Sequence, residues 1–171
     1  MKETYVTHEF PPLYDENSEV LILGSIPSPK SREQGFYYGH PQNRFWRVMA
    51  AVLGEAVPGS VPEKKEMMLK HHIALWDVLA ECRIRGAADG SIRDAVPNDI
   101  VWLLKETKIK RIYTTGATAQ KLYGKLVYPD TGIAAVRLPS TSPANCAVRE
   151  DALCEAYRQI TENRRSETEN P

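Results

Sequence analysis

Short apolar runs constrain the fold of this chain more than any other feature. The first, at residues 20–23, reads Val-Leu-Ile-Leu and stops at a glycine. Short apolar runs bounded by turn residues are typical of strands that are buried on both faces, as the strands of parallel sheets are. The predicted strands cover residues 19–24, 73–78, 111–115 and 134–138.

Stretches with a helical spacing of apolar residues lie between and after these runs. The predicted helices span residues 43–53, 63–71, 97–108, 116–123 and 148–164. The Gly-rich, polar stretch 83–91 is predicted to be a loop. Strands that alternate with helices predict an α/β fold, here with three α/β/α layers around a central, mostly parallel, four-stranded sheet.

The composition limits the classes of protein to which the chain can belong. Its 171 residues, 42% of them hydrophobic, suffice for one domain with a normal core. No apolar run reaches the roughly 18 residues of a membrane span, and the first residues lack the apolar core of a secretion signal. Three cysteines without metal-ligand spacing are typical of a reduced, cytoplasmic protein.

Charge is balanced overall but uneven along the chain. The 22 basic and 22 acidic residues exclude a bulk electrostatic binder of nucleic acid. Four basic residues nevertheless flank or lie within an aromatic block at residues 36–46, which suits contact with a few phosphates, although a solvated mixed surface is the ordinary interpretation of such charges. They are Lys30, Arg32, Arg44 and Arg47.

Two loops that follow predicted strands are small and rich in serine. Residues 24–28 follow the first strand, and residues 138–145 follow the last. Because ligands of open α/β sheets bind outside the carboxyl ends of the strands, both loops should border one site. Together with the aromatic block, they predict a pocket for a flat ring attached to a phosphate backbone.

Three segments in this order, residues 24–28, 38–46 and 138–145, resemble motifs of the uracil-DNA glycosylase superfamily. The part of the aromatic block that reads His-Pro-Gln-Asn-Arg-Phe-Trp is similar to the mismatch-specific uracil and thymine glycosylases. Ile26 departs from most branches, which carry Asp or Asn there to handle the attacking water. With residues 75–78 (Leu-Trp-Asp-Val) and an Asn two positions after His-Pro, this departure resembles the hypoxanthine-DNA glycosylase branch.

The resemblance implies a monofunctional DNA glycosylase that flips deaminated bases out of DNA and hydrolyses their N-glycosidic bond, with hypoxanthine favoured. It also implies that Asn43 is catalytic, with its side-chain carbonyl orienting the attacking water. The residues alone favour a helix N-cap at this position, and both roles can hold together. Two alternatives stay open, a mismatch-specific uracil/thymine DNA glycosylase and a non-catalytic nucleic-acid-binding α/β module.

Base recognition is expected in the first loop, the aromatic block and the end of the second strand. Tyr38 is the expected stacking platform, with Tyr37 as its competitor. Asp77 is expected to accept from the ring N–H beside a carbonyl, which hypoxanthine, uracil and xanthine carry and adenine lacks; a turn cap is the alternative. The expected base-binding residues are Gly24, Ser25, Ile26, Tyr38, His40 and Asp77. For His40, the alternative that it only holds the loop is slightly favoured.

Small hydroxyl side chains let a DNA backbone approach closely, so the two loops are expected to bind the flanking phosphates, although loop solubility explains most isolated serines. The expected phosphate-contacting residues are Ser28, Ser140, Ser142 and Asn145. Pro143 and Ala144 stand where relatives insert an apolar wedge into the duplex.

The remaining expectations concern chemistry and organisation. No lysine is placed to form a Schiff base, so strand nicking is not expected. No metal-ligand pattern is evident, and we expect neither a metal nor a cofactor. We expect a monomer whose partner is DNA that contains deaminated bases. A single glycosylase-like domain should cover residues 1–164, followed by a disordered tail at 165–171.

Overall fold

The computed structural model describes residues 2–163, within which seven strands, seven α-helices and one 3-10 helix are delimited, and residues 159–163 are helical as well. The tail predicted at residues 165–171 lies outside the described residues. In chain order the elements are β1 (Glu3–Thr7), β2 (Val20–Gly24), α1 (Pro29–Gln34), α2 (Phe45–Leu53), α3 (Val61–Lys70), β3 (Ile73–Asp77), β4 (Leu79–Arg85), β5 (Ala88–Pro97), α4 (Ile100–Glu106), β6 (Arg111–Thr115), α5 (Ala117–Leu126), α6 (Tyr128–Thr131), β7 (Val136–Leu138), the 3-10 helix (Pro143–Asn145) and α7 (Glu150–Tyr157).

The four predicted strands form one parallel sheet in the order β3-β2-β6-β7. Every residue of β2 and β3 is buried, as expected of parallel strands that are covered on both faces. Val20 pairs with Ile73 on one side and with Arg111 on the other. The predicted α/β fold with a central parallel sheet is therefore confirmed.

The helices begin and end where local chemistry favours it. The Ser60 side chain accepts from the Glu63 N–H and begins α3, as expected of an N-cap serine. Gly116 adopts φ +92 before α5, a conformation that few residues other than glycine reach. Helix α2 packs its apolar face on the core and contacts α7. This contact brings the aromatic block close to the last loop.

One predicted helix begins too early. Pro97 was expected to open the helix over residues 97–108, but it ends β5 instead. The Asp99 side chain accepts from the Trp102 N–H, so that the helix begins at Ile100. A proline fits either position, since it needs no N–H partner at a first helical turn or at a strand end.

The stretch 83–91 was predicted as a loop, and this prediction is wrong. It forms the turn and the adjoining strand ends of the β4–β5 hairpin, and β1 adds a third antiparallel strand in the order β1-β4-β5. In β4, the buried Cys82 and Ile84 alternate with the exposed Arg83 and Arg85. Strand β5 is mostly exposed, so its sequence carries little apolar alternation to indicate a strand.

The carboxyl ends of the parallel strands meet at one edge of the sheet. The Val78 and Leu79 N–H groups donate to the carbonyls of Gly24 and Ser25, and the Gly116 N–H donates to Leu138. The two serine-rich loops therefore leave the sheet side by side, as predicted. Across residues 2–163, no helix combines the length and apolar character needed to cross a membrane.

Candidate active site

A cavity of about 140 Å³ opens at this edge of the parallel sheet. Pockets for drug-sized ligands measure about 300–1,000 Å³, so this cavity suits a smaller planar group. Nine of the residues predicted to act in the site line it. They are Gly24, Ser25, Ile26, Ser28, Tyr38, Asn43, Asp77, Ser140 and Ser142.

Two predicted residues, His40 and Asn145, are not among the lining residues. The His40 Nδ1 atom accepts from the Gln42 N–H at 3.1 Å, which holds the turn before α2. The Asn145 side chain donates to the Ser140 carbonyl at 2.9 Å within the last loop. In this structure both side chains therefore organise the loops that border the cavity.

Tyr38 lies against the cavity with its ring stacked on Phe45, at 3.8 Å between centroids and 16° between planes. Its backbone has φ +53, which is uncommon for an aromatic residue and is typical of positions held for function. The hydroxyl is buried and has no hydrogen-bond partner in the described chain. Burial, followed by the charge of Asp77, raises the pKa of Tyr38 well above its usual value. Thr115 opposes this rise, although the two side chains do not meet the geometry of a hydrogen bond.

Asp77 ends β3 with only 5% of its surface exposed. Its Oδ2 atom lies 2.8 Å from the Nε2 atom of His8, whose side chain is also buried. A Cβ atom on Gly24 would stand 2.5 Å from the other carboxyl oxygen, Oδ1. Only glycine at position 24 therefore allows this close approach. The Asn98 side chain fixes the strand end by donating to the carbonyls of Asp77 and Leu79.

Asn43 joins the aromatic block to the last loop. Its Oδ1 atom accepts from the Phe45 N–H at 2.9 Å and from the Thr141 hydroxyl at 2.8 Å. The backbone donor fixes the orientation of the amide, since a flipped amide would set two donors against each other. Arg44 adds a backbone bond to the Thr141 carbonyl at 3.1 Å. Asn43 therefore lines the cavity and also holds the start of α2.

The β4–β5 hairpin supplies a second carboxyl group. Ile84, Gly86, Ala87 and Asp89 of the hairpin all line the cavity. The Ser25 hydroxyl donates to Oδ1 of Asp89 at 3.1 Å. Desolvation and then the charge of Asp77 raise the pKa of Asp89, whereas the Ser25 hydrogen bond opposes the rise.

The last loop is held by its own side chains. Ser140 accepts from the Ser142 N–H at 3.1 Å, and Ser142 accepts from the Ala144 N–H at 3.2 Å. The Arg44 guanidinium donates to the carbonyls of Asn145 and Val148. This loop therefore has a fixed shape before any ligand binds.

The basic residues around the aromatic block have protein partners. Lys30 pairs with Glu33 at 3.3 Å, and Arg47 pairs with Glu150 at 2.8 Å. Arg32 donates to the Pro27 carbonyl at 2.9 Å. Such exposed pairs are weak, at roughly 0–1 kcal/mol, so a phosphate can replace the acidic partner.

Sequence reasoning missed His8, Asp89, Thr115 and Thr141, all of which border this site or contact a residue that does. His8 lies 69 positions from Asp77, and Asp89 lies 64 positions from Ser25. Period-two alternation in β4 was the one signal for the hairpin. Thr141 lies in the last loop, where only Ser140, Ser142 and Asn145 were predicted to act.

Comparison with known proteins agrees with this architecture. The sequence model of the uracil DNA glycosylase superfamily matches residues 11–163. A hypoxanthine DNA glycosylase of Methanosarcina acetivorans is 38% identical over 162 residues, which cover 94% of each chain. One from Methanosarcina barkeri is 41% identical over 86 residues, which cover 50% of this chain and 54% of that one.

A solved structure shows the same fold. The solution NMR structure of a candidate uracil DNA glycosylase from Methanosarcina acetivorans superposes with a TM-score of 0.72 at 36% identity. The superposition covers 89% of this chain and 96% of that one. The protein belongs to the uracil DNA glycosylase superfamily, as its motifs indicated.

Proposed function

We propose that the protein is a monofunctional DNA glycosylase that flips deaminated bases into its cavity and hydrolyses their N-glycosidic bond, with hypoxanthine as its favoured base. The superfamily membership and two relatives named hypoxanthine DNA glycosylase support the reaction class and the substrate. The observation that carries the proposal is a buried carboxylate, Asp77, beside a stacked aromatic ring in a base-sized cavity.

Recognition of the base uses its face and its edge. Tyr38 stacks on the ring of the base and is supported from behind by Phe45; such stacking contributes about 1–3 kcal/mol. The Oδ1 atom of Asp77 accepts from the ring N–H. The backbone N–H groups of Gly24 and Ser25 stabilise the charge that develops on the leaving base. Adenine lacks the ring N–H that Asp77 accepts from, and an unpaired buried acceptor costs roughly 1–3 kcal/mol.

Hydrolysis requires a water molecule beside the sugar carbon. Both in-plane lone pairs of the Asn43 Oδ1 atom accept from protein donors, so we assign the water to the amide Nδ2 instead of the carbonyl expected from the sequence. The water accepts from Nδ2 with one lone pair and directs the other at the sugar. Because the transition state carries positive charge on the sugar, it attracts the oxygen of a water molecule that is already held beside the sugar carbon.

Contacts to the DNA backbone come from the two loops. We assign Ser28, Ser140 and Ser142 to the phosphates that flank the flipped nucleotide, because all three line the cavity. Asn145 acts through the Ser140 carbonyl, to which it donates. Contacts of this kind position the DNA without reading its sequence.

Substrate panels test the proposal directly. Labelled duplexes with hypoxanthine, uracil, xanthine or a thymine mismatch are incubated with the protein, and alkali then cleaves the abasic sites. We expect the fastest release from hypoxanthine, and we expect Asp77→Asn to change the substrate ranking. An Asp99→Asn variant serves as a control, since Asp99 only caps α4. An unchanged ranking in Asp77→Asn contradicts the assigned base contact.

The same panel separates the alternatives. Release confined to uracil and thymine mismatches favours a mismatch-specific glycosylase, against which the buried, apolar Ile26 in the cavity argues. Tight binding without release from any duplex favours a non-catalytic module. We also propose that the protein works in the cytoplasm, where the thiols of Cys82, Cys146 and Cys154 stay reduced, and that it is a monomer, which analytical ultracentrifugation of the reduced protein tests.

A further inference from the structure

The carboxyl group of Asp89 has no role in the reaction described so far, yet it lies in the site. It lines the cavity and accepts from the Ser25 hydroxyl at 3.1 Å. The hairpin that carries it lies outside the parallel sheet and reaches the cavity with its turn. It therefore brings an acid to a first loop that has Ile26 in place of a polar group.

The two acids of the cavity lie at different depths. Asp77 is 5% exposed and is paired with the buried His8. Asp89 is exposed, so it lies nearer the mouth. A flipped base enters first and occupies the inner end, whereas its sugar stays attached to the DNA backbone and remains near the mouth. Asp89 is thus at the level of the sugar, and Asp77 is at the level of the base.

The water held by Asn43 also lacks an acceptor for its proton. The Asn43 Oδ1 atom is occupied by Phe45 and Thr141, and the Nδ2 group can only donate. A negative charge beside bound DNA repels the phosphates and weakens binding. A carboxylate at this position therefore lowers affinity, and a part in the reaction explains why it is there.

We propose that Asp89 is the general base that accepts the proton of the attacking water, which rests on the proposed glycosylase function. The water oxygen forms a bond to C1′ of the sugar while one of its protons passes to the Asp89 carboxylate. The C1′–N bond breaks, its electron pair leaves with the base, and the base takes a proton from solvent. Asp89 then returns its proton to solvent, which completes the hydrolysis without a further reactant.

Single-turnover release of hypoxanthine from a duplex, measured against pH, tests this role. In the wild type the rate falls at acid pH as Asp89 is protonated. Desolvation raises the pKa of Asp89, so this acid limb of the pH profile lies above the pH range in which an ordinary aspartate is protonated. Asp89→Asn lowers the plateau rate about 10²-fold, near the lower bound for general-base catalysis, and removes the limb. Its affinity for the duplex stays equal or rises, because a negative charge is lost.

Asp94→Asn is the matched control on the same strand. Asp94 is exposed and pairs with Arg83 outside the cavity, and its φ of +51 suits asparagine. We expect it to retain the wild-type rate and pH profile. Ser25→Ala removes the bond that favours the ionised carboxyl, so the acid limb moves to higher pH.

The outcomes are distinguishable. A wild type that releases no hypoxanthine refutes the proposed function itself. A wild type that releases hypoxanthine with no acid limb overturns the role of Asp89, whether or not the variant folds. The role is equally overturned when folded Asp89→Asn keeps the wild-type rate, and tighter binding in that case identifies Asp89 as a charge that only limits affinity.

Discussion

Replacement of Tyr38 by phenylalanine removes one oxygen atom from the cavity and should stabilise the free protein. The hydroxyl is buried without a partner in the described residues, and an unsatisfied buried polar group costs about 1–3 kcal/mol. The ring keeps its stacking on Phe45. We expect Tyr38→Phe to increase the free energy of unfolding by about 1 kcal/mol, which for 171 residues raises the melting temperature by about 2–4 °C.

The neighbouring tyrosine is a control with the opposite sign. The Tyr37 hydroxyl donates to the Pro11 carbonyl at 2.9 Å. Tyr37→Phe loses this bond and leaves the carbonyl without its donor, so the free energy of unfolding should fall by about 1 kcal/mol. The two variants therefore make the same chemical change with opposite expected effects on stability.

Thermal and urea denaturation of both variants measure these effects, and single-turnover release of hypoxanthine shows whether the hydroxyl also contacts the base. A more stable Tyr38→Phe that releases hypoxanthine more slowly identifies the hydroxyl as a donor held ready for substrate. A Tyr38→Phe that is less stable than the wild type refutes the reasoning, because the hydroxyl then has a partner in the free protein.

Three further predictions concern the same cavity. Gly24→Ala sets a Cβ atom 2.5 Å from Oδ1 of Asp77, and we expect loss of hypoxanthine release with the fold retained by circular dichroism. Thr141→Val removes a donor to Asn43; we expect release to slow about 10-fold, or 1.4 kcal/mol, at an unchanged duplex affinity measured by fluorescence anisotropy. Asp89 binds its proton more tightly when folded than when unfolded, since its pKa is raised. Its contribution to stability is therefore lost as pH rises through the folded pKa, and Asp89→Asn should melt higher than the wild type at pH 7 but not in strong acid.

The sequence predicted β2 and β3 well because these two strands are nearly continuous apolar runs. Strand β3 is buried along its whole length and ends at Asp77, next to the end of β2. The order of the strands alone therefore placed Asp77 and the loop after β2 in one site. The residues alone left Asn43 open between a helix cap and the cavity; in the structure Arg44 is the N-cap of α2, and Asn43, one residue earlier, accepts from the Phe45 N–H and lines the cavity.

The missed residues belong to contacts that no local pattern encodes. His8 reaches Asp77 through β1, which pairs with β4 across more than seventy positions of sequence. Asp89 reaches Ser25 through a hairpin whose outer strand is mostly exposed. Both depend on the second sheet, in which β1 pairs with a strand far along the chain and the β4–β5 hairpin closes over the site.

The most direct test of the central claim is the single-turnover rate of hypoxanthine release by Asn43→Ala from a duplex with one deoxyinosine, with the released base identified by mass spectrometry. We expect the wild type to release hypoxanthine and the variant to release it at least about 10²-fold more slowly, within the range for loss of a positioned catalytic group. Duplex affinity should be unchanged. A folded Asn43→Ala that releases hypoxanthine at the wild-type rate contradicts the account.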